Sequence, residues 1–340
     1  MSKNGLPRKP LTKRRLKNLI LNVLKNPFNM VVLVSLIILF CLIIIPLLTM
    51  ISSTFTLAQG ELRRVQGHVG DFTLYYWKYI LASTMSGAVL WGPLKNSFIC
   101  GFFTVLVSVP LGSVLAWLMI RTDIPGKKIL GLLVTVPYMI PSWTKALAWL
   151  AMFRNSTSGA NGFLAGMGIP IPDWLAYGPI AIVLCMSMHY YAFSYIMVSG
   201  ALRSINSELE EMGEIQGASK AQILRHITLP LILPSVLSAT VMTISKSIGT
   251  YGVPANLGNR IGYYTLATKM RNFIDQGPQA VGYAMSIVLV LLAAVIIFSN
   301  QRIVGVRKSY ATVSGKGGRA TLMPLGKAKK PLMAFLMVFL

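Results

Sequence analysis

Long apolar stretches almost free of charge alternate with short polar segments along this chain, and their length sets the first expectation. A bilayer core about 30 Å thick needs roughly 20 apolar residues at about 1.5 Å rise each. Six windows of that size predict complete helices, at about 30–51, 96–120, 129–151, 178–201, 231–250 and 280–300. Pro46, Pro110, Pro137, Pro141 and Pro234 fall inside these windows or at their ends. Membrane helices tolerate proline because neighbouring helices satisfy the freed carbonyls, so each is expected to kink its helix.

Composition agrees with an all-α polytopic membrane protein: 54% of residues are hydrophobic and only 12% charged, against about 25% charged in soluble domains. The first window is too long for a signal-peptide core and lacks a small-x-small cleavage site, which makes it an uncleaved first helix behind a basic arm, 1–29. A net charge of +23 raises the question of nucleic acid, but the basic residues are sorted by side. Of the 32 Lys and Arg, 22 fall on one side, eight in the arm, three in each of two loops and eight in the tail after the last window. The positive-inside rule assigns that side to the cytoplasm, places both ends of the six-helix unit inside, and explains the charge without nucleic acid. The segment 52–92 then faces the periplasm. Cys41, Cys100 and Cys185 all lie in predicted helices without metal-ligand spacing, so neither a disulfide framework nor a zinc site is expected.

A Gly- and Lys-rich linker, 303–330, leads to the apolar run PLMAFLMVFL at 331–340. Basic residues, Lys-Pro, then an apolar run resembles the order at the N-terminus, and predicts the start of a seventh helix opening a second membrane half. A short interfacial tail is the alternative, since ten apolar residues cannot span alone.

Four of the nine acidic residues, Glu208, Glu210, Glu211 and Glu214, crowd into the loop between the fourth and fifth windows. Ser207 and Glu210 have capping-box spacing for a helix start, where glutamates also meet the positive end of the dipole. That helix should stop near Gly217, and Ser219 with Gln222 predicts a second cap leading into Ala221–Ile227. Pro230 ends this second helix or opens the membrane helix behind it. A helix-turn-helix DNA reader has the same outline, but Arg203 to Pro230 holds three basic and four acidic residues, which repels phosphate.

Glu211, Gly217 six positions on, then nine residues and Ile227-x-Leu229-Pro230 closely resembles the EAA loop (E-A-A-x3-G-x9-I-x-L-P) of binding-protein-dependent ABC importer permeases. Met212-Gly213 departs from the two alanines usual there, at a cost of about 1 kcal/mol of helix stability for the glycine. The resemblance covers about 93–302, including Leu94-Lys95-Asn96-Ser97 and Gly249-Thr250-Tyr251-Gly252-Val253-Pro254. It implies the type I permease fold in a bacterial inner membrane, with the N-terminus cytoplasmic. It implies also that residues 207–230 form a coupling loop docking on a cytoplasmic ABC ATPase dimer, with Glu211, Gly217, Ala218, Ser219 and Ile227 at the contact. Leu229 and Pro230 would link the loop to the fifth helix. ATP would bind the partner ATPase, a periplasmic solute-binding protein would deliver substrate, and a second permease half, fused or as a homodimer, would complete the pathway. This chain itself would hold no cofactor, metal or catalytic site. Within the family the GTYGVPANLG segment and the two-half design look most like ferric-iron permeases, with polyamine (spermidine or putrescine) and phosphonate permeases as alternatives.

Lys145, His189 and Lys246 are the ionisable residues inside the windows, and such groups at membrane depth are pathway candidates. Snorkelling to the outer interface is the simpler account of both lysines, and a hydrogen bond to a neighbouring helix that of His189. An ion-coupled secondary transporter is the rival from another class. It would be expected to carry acids at membrane depth, and no Asp or Glu falls in any window.

Overall fold

A computed structural model describes residues 27–61, 65–156, 159–205, 207–307 and 322–339. The basic arm up to residue 26 and half of the predicted linker, 308–321, lie outside the described residues. By its internal contacts the chain divides into two units, Met1–Leu74 and Tyr75–Leu340. In the first, helix α1 (Pro27–Ser53) carries Pro46 in its interior and has no buried residue. Behind it Thr56 and Phe72 form an antiparallel bridge, and Leu57 is buried beneath the connecting turn.

The second unit contains α2 (Tyr75–Ala82), α3 (Gly92–Arg121), α4 (Lys127–Met139), α5 (Ser142–Phe153), α6 (Pro179–Ser204), α7 (Ser207–Ile215), α8 (Lys220–Ile223), α9 (Leu229–Ile248), α10 (Gly252–Leu257), α11 (Leu266–Gln276), α12 (Gln279–Arg307) and α13 (Lys329–Phe339). Among the described residues the only β-structure is two isolated bridges. Five helical stretches are long and apolar enough to cross a membrane: Pro27–Ser53, Gly87–Arg121, Asp173–Ser204, Lys220–Ile248 and Gln279–Arg302.

The window expected at 129–151 is not one of them. It is broken into α4 and α5, with Ile140 and Pro141 extended between them. Pro141 has no N–H to give the carbonyl four residues back, so a continuous helix would strand the oxygen of Pro137. Pro46, Pro110 and Pro234 by contrast sit within uninterrupted helices.

The central pair is α3 against α6, and small residues let them close. A Cβ placed on Gly112 would lie 2.3 Å from the Tyr191 carbonyl oxygen and 2.7 Å from Ser194 Cβ. Such backbone approach is how membrane helices gain dispersion contact where lipid is as apolar as leucine. Ser187 Oγ adds a hydrogen bond to the Thr104 carbonyl at 3.4 Å. One buried cluster, with Leu115, Met119, Val134, Tyr195, Leu202 and Ile232, fills the end of this pair nearer the acidic loop. Another, with Cys100, Trp149, Ile182, Met186, Val253 and Leu257, fills the opposite end. At that end Asn96 Nδ2 donates to the Tyr264 carbonyl (2.9 Å) and the Leu266 N–H donates to Ser97 Oγ (2.8 Å), fixing the start of α3 to the start of α11.

The apolar C-terminal run forms α13, whose Leu336 is buried in the cluster around Leu115. Ahead of it, Met323 N–H donates to the Arg121 carbonyl (2.8 Å) and Asp123 N–H to the Met323 carbonyl (3.2 Å). Lys329 Nζ closes the clasp on Asp123 Oδ2 at 2.6 Å.

Candidate functional site

The acidic loop folds as the helix, glycine turn and helix that its sequence predicts. Gly217 adopts φ +83°, which only glycine takes without strain, and Ala218 N–H returns to the Gly213 carbonyl (3.0 Å) to close the end of α7. Ser219 caps α8 reciprocally: its Oγ accepts from Gln222 N–H (3.3 Å) and its own N–H donates to Gln222 Oε1 (2.7 Å). The other predicted cap rests on the Ser207 side chain, which lies outside the described residues. Of the two expectations for Pro230, it opens the membrane helix, and the second helix does not stop before it. That helix passes through a π-helical turn, Leu224–Thr228, directly into α9, with Pro230 in the first turn. A rigid connection therefore runs from the loop to the fifth predicted span.

Gly213, where the motif usually has alanine, has a physical reason. A Cβ there would sit 3.2 Å from both Ile223 Cγ1 and Ile227 Cδ1, so glycine lets α7 lie closer on the second helix.

The four glutamates divide by environment. Glu210, expected only as a helix-start acid, is 7% exposed and accepts a hydrogen bond from Thr228 Oγ1 (2.7 Å). Its Oε1 is also 3.3 Å from Nη2 of Arg121, which is 2% exposed and donates to the Leu202 carbonyl (3.2 Å). This buried pair joins the loop to the ends of α3 and α6. Arg121 lies 89 positions from Glu210, and its only sequence signal is that it is the first charge after a charge-free window.

Glu211, Glu208 and Glu214 face outward, as do Gly217, Ser219, Leu229 and Pro230, while Ala218 and Ile227 are half-buried. Beside them Leu209, Met212 and Ile215 lie on one stripe of α7 at a spacing of three, and Ile215 is 85% exposed. An apolar stripe on a short acidic helix outside the membrane windows has the pattern of helix-in-groove recognition.

The candidate residues inside the windows also come together. Lys145 stands in the first turn of α5 and donates to the carbonyl of Pro137, the one stranded by Pro141. It also lies 2.5 Å from His189 Nδ1. Tyr138 stacks on His189 (5.2 Å between ring centres) and on Phe193 (5.7 Å). Lys246 reaches the same stack, 3.4 Å from Tyr138 Oη and 5.1 Å from the Phe193 ring centre. Lys145, half-buried, bonds inward where the broken helix offers it a carbonyl, while Lys246 is exposed. Tyr138 and Phe193 carried no sequence signal beyond being aromatic.

A family model described as binding-protein-dependent transport system inner membrane component matches residues 108–308. Sulfate transport system permease protein CysT of Salmonella typhimurium is 25% identical over 222 residues, which cover 62% of this chain and 78% of that protein. PhnV of the same organism, assigned to 2-aminoethylphosphonate transport, is 28% identical over 232 residues, 68% of this chain and 80% of that one. A Marchantia polymorpha protein assigned to sulfate transport is 27% identical over 180 residues, 52% of this chain, and there the chain spans 59% of the relative. The crystal structure of a bacterial ABC transporter involved in the import of the acidic polysaccharide alginate aligns with a TM-score of 0.62, over 86% of this chain and 99% of that one. At 19% identity that alignment speaks for the fold alone.

Proposed function

This chain belongs to the binding-protein-dependent transport system inner membrane component family, and from that premise we propose that it is the permease subunit of an ATP-driven importer in the inner membrane, moving a small oxyanion. Its 207–230 loop couples it to a cytoplasmic ATPase dimer, a periplasmic binding protein loads its outer face, and a second permease half completes the pathway. ATP is bound and hydrolysed by the ATPase partner.

The observation that carries the coupling role is the exposed stripe Leu209, Met212 and Ile215 on a helix locked to α3 and α6 by Glu210 and Arg121. Such a helix fits the helix-in-groove mode, with apolar anchors for affinity and Glu211 at the edge for register. Gly217, Ala218 and Ser219 set the turn at the contact, and Ile227, Leu229 and Pro230 carry its movement into α9. Membership of this family also sets aside the ion-coupled secondary transporter.

Sulfate and phosphonate relatives favour an oxyanion over ferric iron or a polyamine. Charge favours it too: a cation pathway would call for oxygen ligands such as carboxylates, and the six predicted windows contain none. Co-purification of the full chain with its ATPase tests the coupling role. Ile215→Asp should insert normally and lose the ATPase, and retention of the ATPase by that variant would overturn the docking face.

A further inference from the structure

Among the described residues, Lys145 and Lys246 approach one group of rings in the outer half of the helix bundle, and neither is ion-paired with a carboxylate. Lys246 lies 17 positions beyond Leu229, roughly 26 Å along α9 from the loop end. His189 lies ten positions into α6 from the opposite end, roughly 15 Å deep. The described ion pairs use Asp71, Asp123, Glu210 and Asp275, none of them with Lys145 or Lys246. The nine acids of the sequence are at 61, 71, 123, 173, 208, 210, 211, 214 and 275, outside every predicted window. Lys145 is half-buried there and Lys246 is exposed near the outer end of α9, and a half-buried ammonium without a counter-charge is costly unless it faces a polar cavity or an anion.

Three further features converge on the same place. The third predicted span is broken at Ile140–Pro141, and broken helices are where transporters expose free backbone groups to solutes. The 12-residue helix α5 begins at that break with no side-chain cap, so its first-turn N–H groups and positive dipole end stand beside Lys145. Finally, an ammonium donor at His189 Nδ1 makes that nitrogen an acceptor, which leaves the ring proton on Nε2 as a donor.

We infer that Lys145, Lys246 and the start of α5 form a binding site for a tetrahedral oxyanion, sulfate or a phosphonate, within the outer half of the translocation path. His189 orients Lys145, and Tyr138 Oη and the Phe193 ring hold Lys246 in place while leaving two of its ammonium hydrogens available. The site rests on the importer reading above and adds to it a selectivity element within the permease itself. A tetrahedral oxyanion fits because its oxygens can accept from two ammonium groups and helix N–H groups at once.

The test is equilibrium binding of radiolabelled sulfate to the full chain in phosphatidylcholine nanodiscs, without binding protein, with 2-aminoethylphosphonate and chloride as competitors. Saturable sulfate binding is expected. Lys246→Gln should weaken it by at least about tenfold, the scale of one lost charge-assisted hydrogen bond, while Lys246→Arg holds it within about threefold. Lys145→Gln should weaken it similarly, and because that change also frees the Pro137 carbonyl, its monodispersity is checked in parallel. Displacement by 2-aminoethylphosphonate at lower concentration than unlabelled sulfate supports the site with a phosphonate as its preferred ligand, and the reverse order supports it with sulfate. Absence of saturable binding in the unmodified chain, equal binding in both glutamine variants, or displacement by equimolar chloride would overturn the site. ATPase co-purification in the same preparations separates the two readings: its loss with sulfate binding intact removes the importer reading and leaves the site standing.

Discussion

Replacing Glu210 with alanine isolates the connection between the loop and the membrane helices. The change removes the acceptor of Thr228 Oγ1 and leaves Arg121, 2% exposed, without its counter-charge. An uncompensated buried charge costs about 3–5 kcal/mol, and the lost Thr228 bond is contained within that figure since both act through one oxygen. Arg121 can recover hydration only if α7 lifts away, so the cost appears as local opening and not as global unfolding. At about 3 kcal/mol the open population rises on the order of a hundredfold. Amide hydrogen exchange in lipid nanodiscs reads this directly: protection across 207–217 should fall by that factor while the interiors of α3 and α6 keep theirs. A paired change, Glu210→Met with Arg121→Met, should recover most of the protection, since apolar replacement of a whole buried pair is often close to neutral. Unchanged exchange in Glu210→Ala, or a double variant less protected than the single one, would refute the account of Glu210 as a buried latch.

Three other outcomes follow from geometry already described. Gly217→Asp should insert and fold normally but uncouple ATP hydrolysis from uptake in proteoliposomes, because a residue with a Cβ pays about 1–2 kcal/mol at φ +83° and the turn shifts. Gly112→Leu should lower the detergent unfolding temperature by the equivalent of at least about 1–3 kcal/mol, since its Cβ alone would sit 2.3 Å from the Tyr191 carbonyl oxygen; an unchanged midpoint would refute the close crossing. The Asp123 carboxyl is held below the usual carboxylate range, first by the Lys329 hydrogen bond and then by the Leu325 N–H. A depressed folded pKa gives stability that is present above the unfolded value of about 4 and lost as pH falls through the folded value. Exchange at the Leu325 amide, corrected for intrinsic rate, should therefore rise below about pH 4 in the unmodified chain and show no such step in Asp123→Asn.

Five of the predicted spans were legible because each is a continuous apolar run whose prolines find tolerance within one helix. The sixth was not, since Pro137 and Pro141 look alike in sequence and only the surroundings tell them apart. At Pro141 the helix breaks and the carbonyl freed on Pro137 is met by Lys145, a contact that the apolar pattern does not reveal. The hairpin outline was readable because capping spacing and a glycine stop are local signals within ten residues. Glu210 does lie in the first helical turn, as expected, but its pairing was not legible, because its partner Arg121 is remote in sequence and a first-turn glutamate already had a sufficient local explanation. The convergence of Lys145, His189 and Lys246 likewise depends on α5, α6 and α9 meeting, which no periodicity encodes.

Helix α3 is a rod of 30 residues, about 45 Å at 1.5 Å per residue, pinned at both tips. Arg121 fastens one tip to the loop, and Asn96 with Ser97 fastens the other to the chain entering α11. Close contact with α6 stiffens it along its length. Under the coupling proposed for the hairpin, such a strut would carry a push at one end of the bundle to the other as a movement of α11. On that proposal, mechanical work done on one side would reach the other without any solute having to carry the signal.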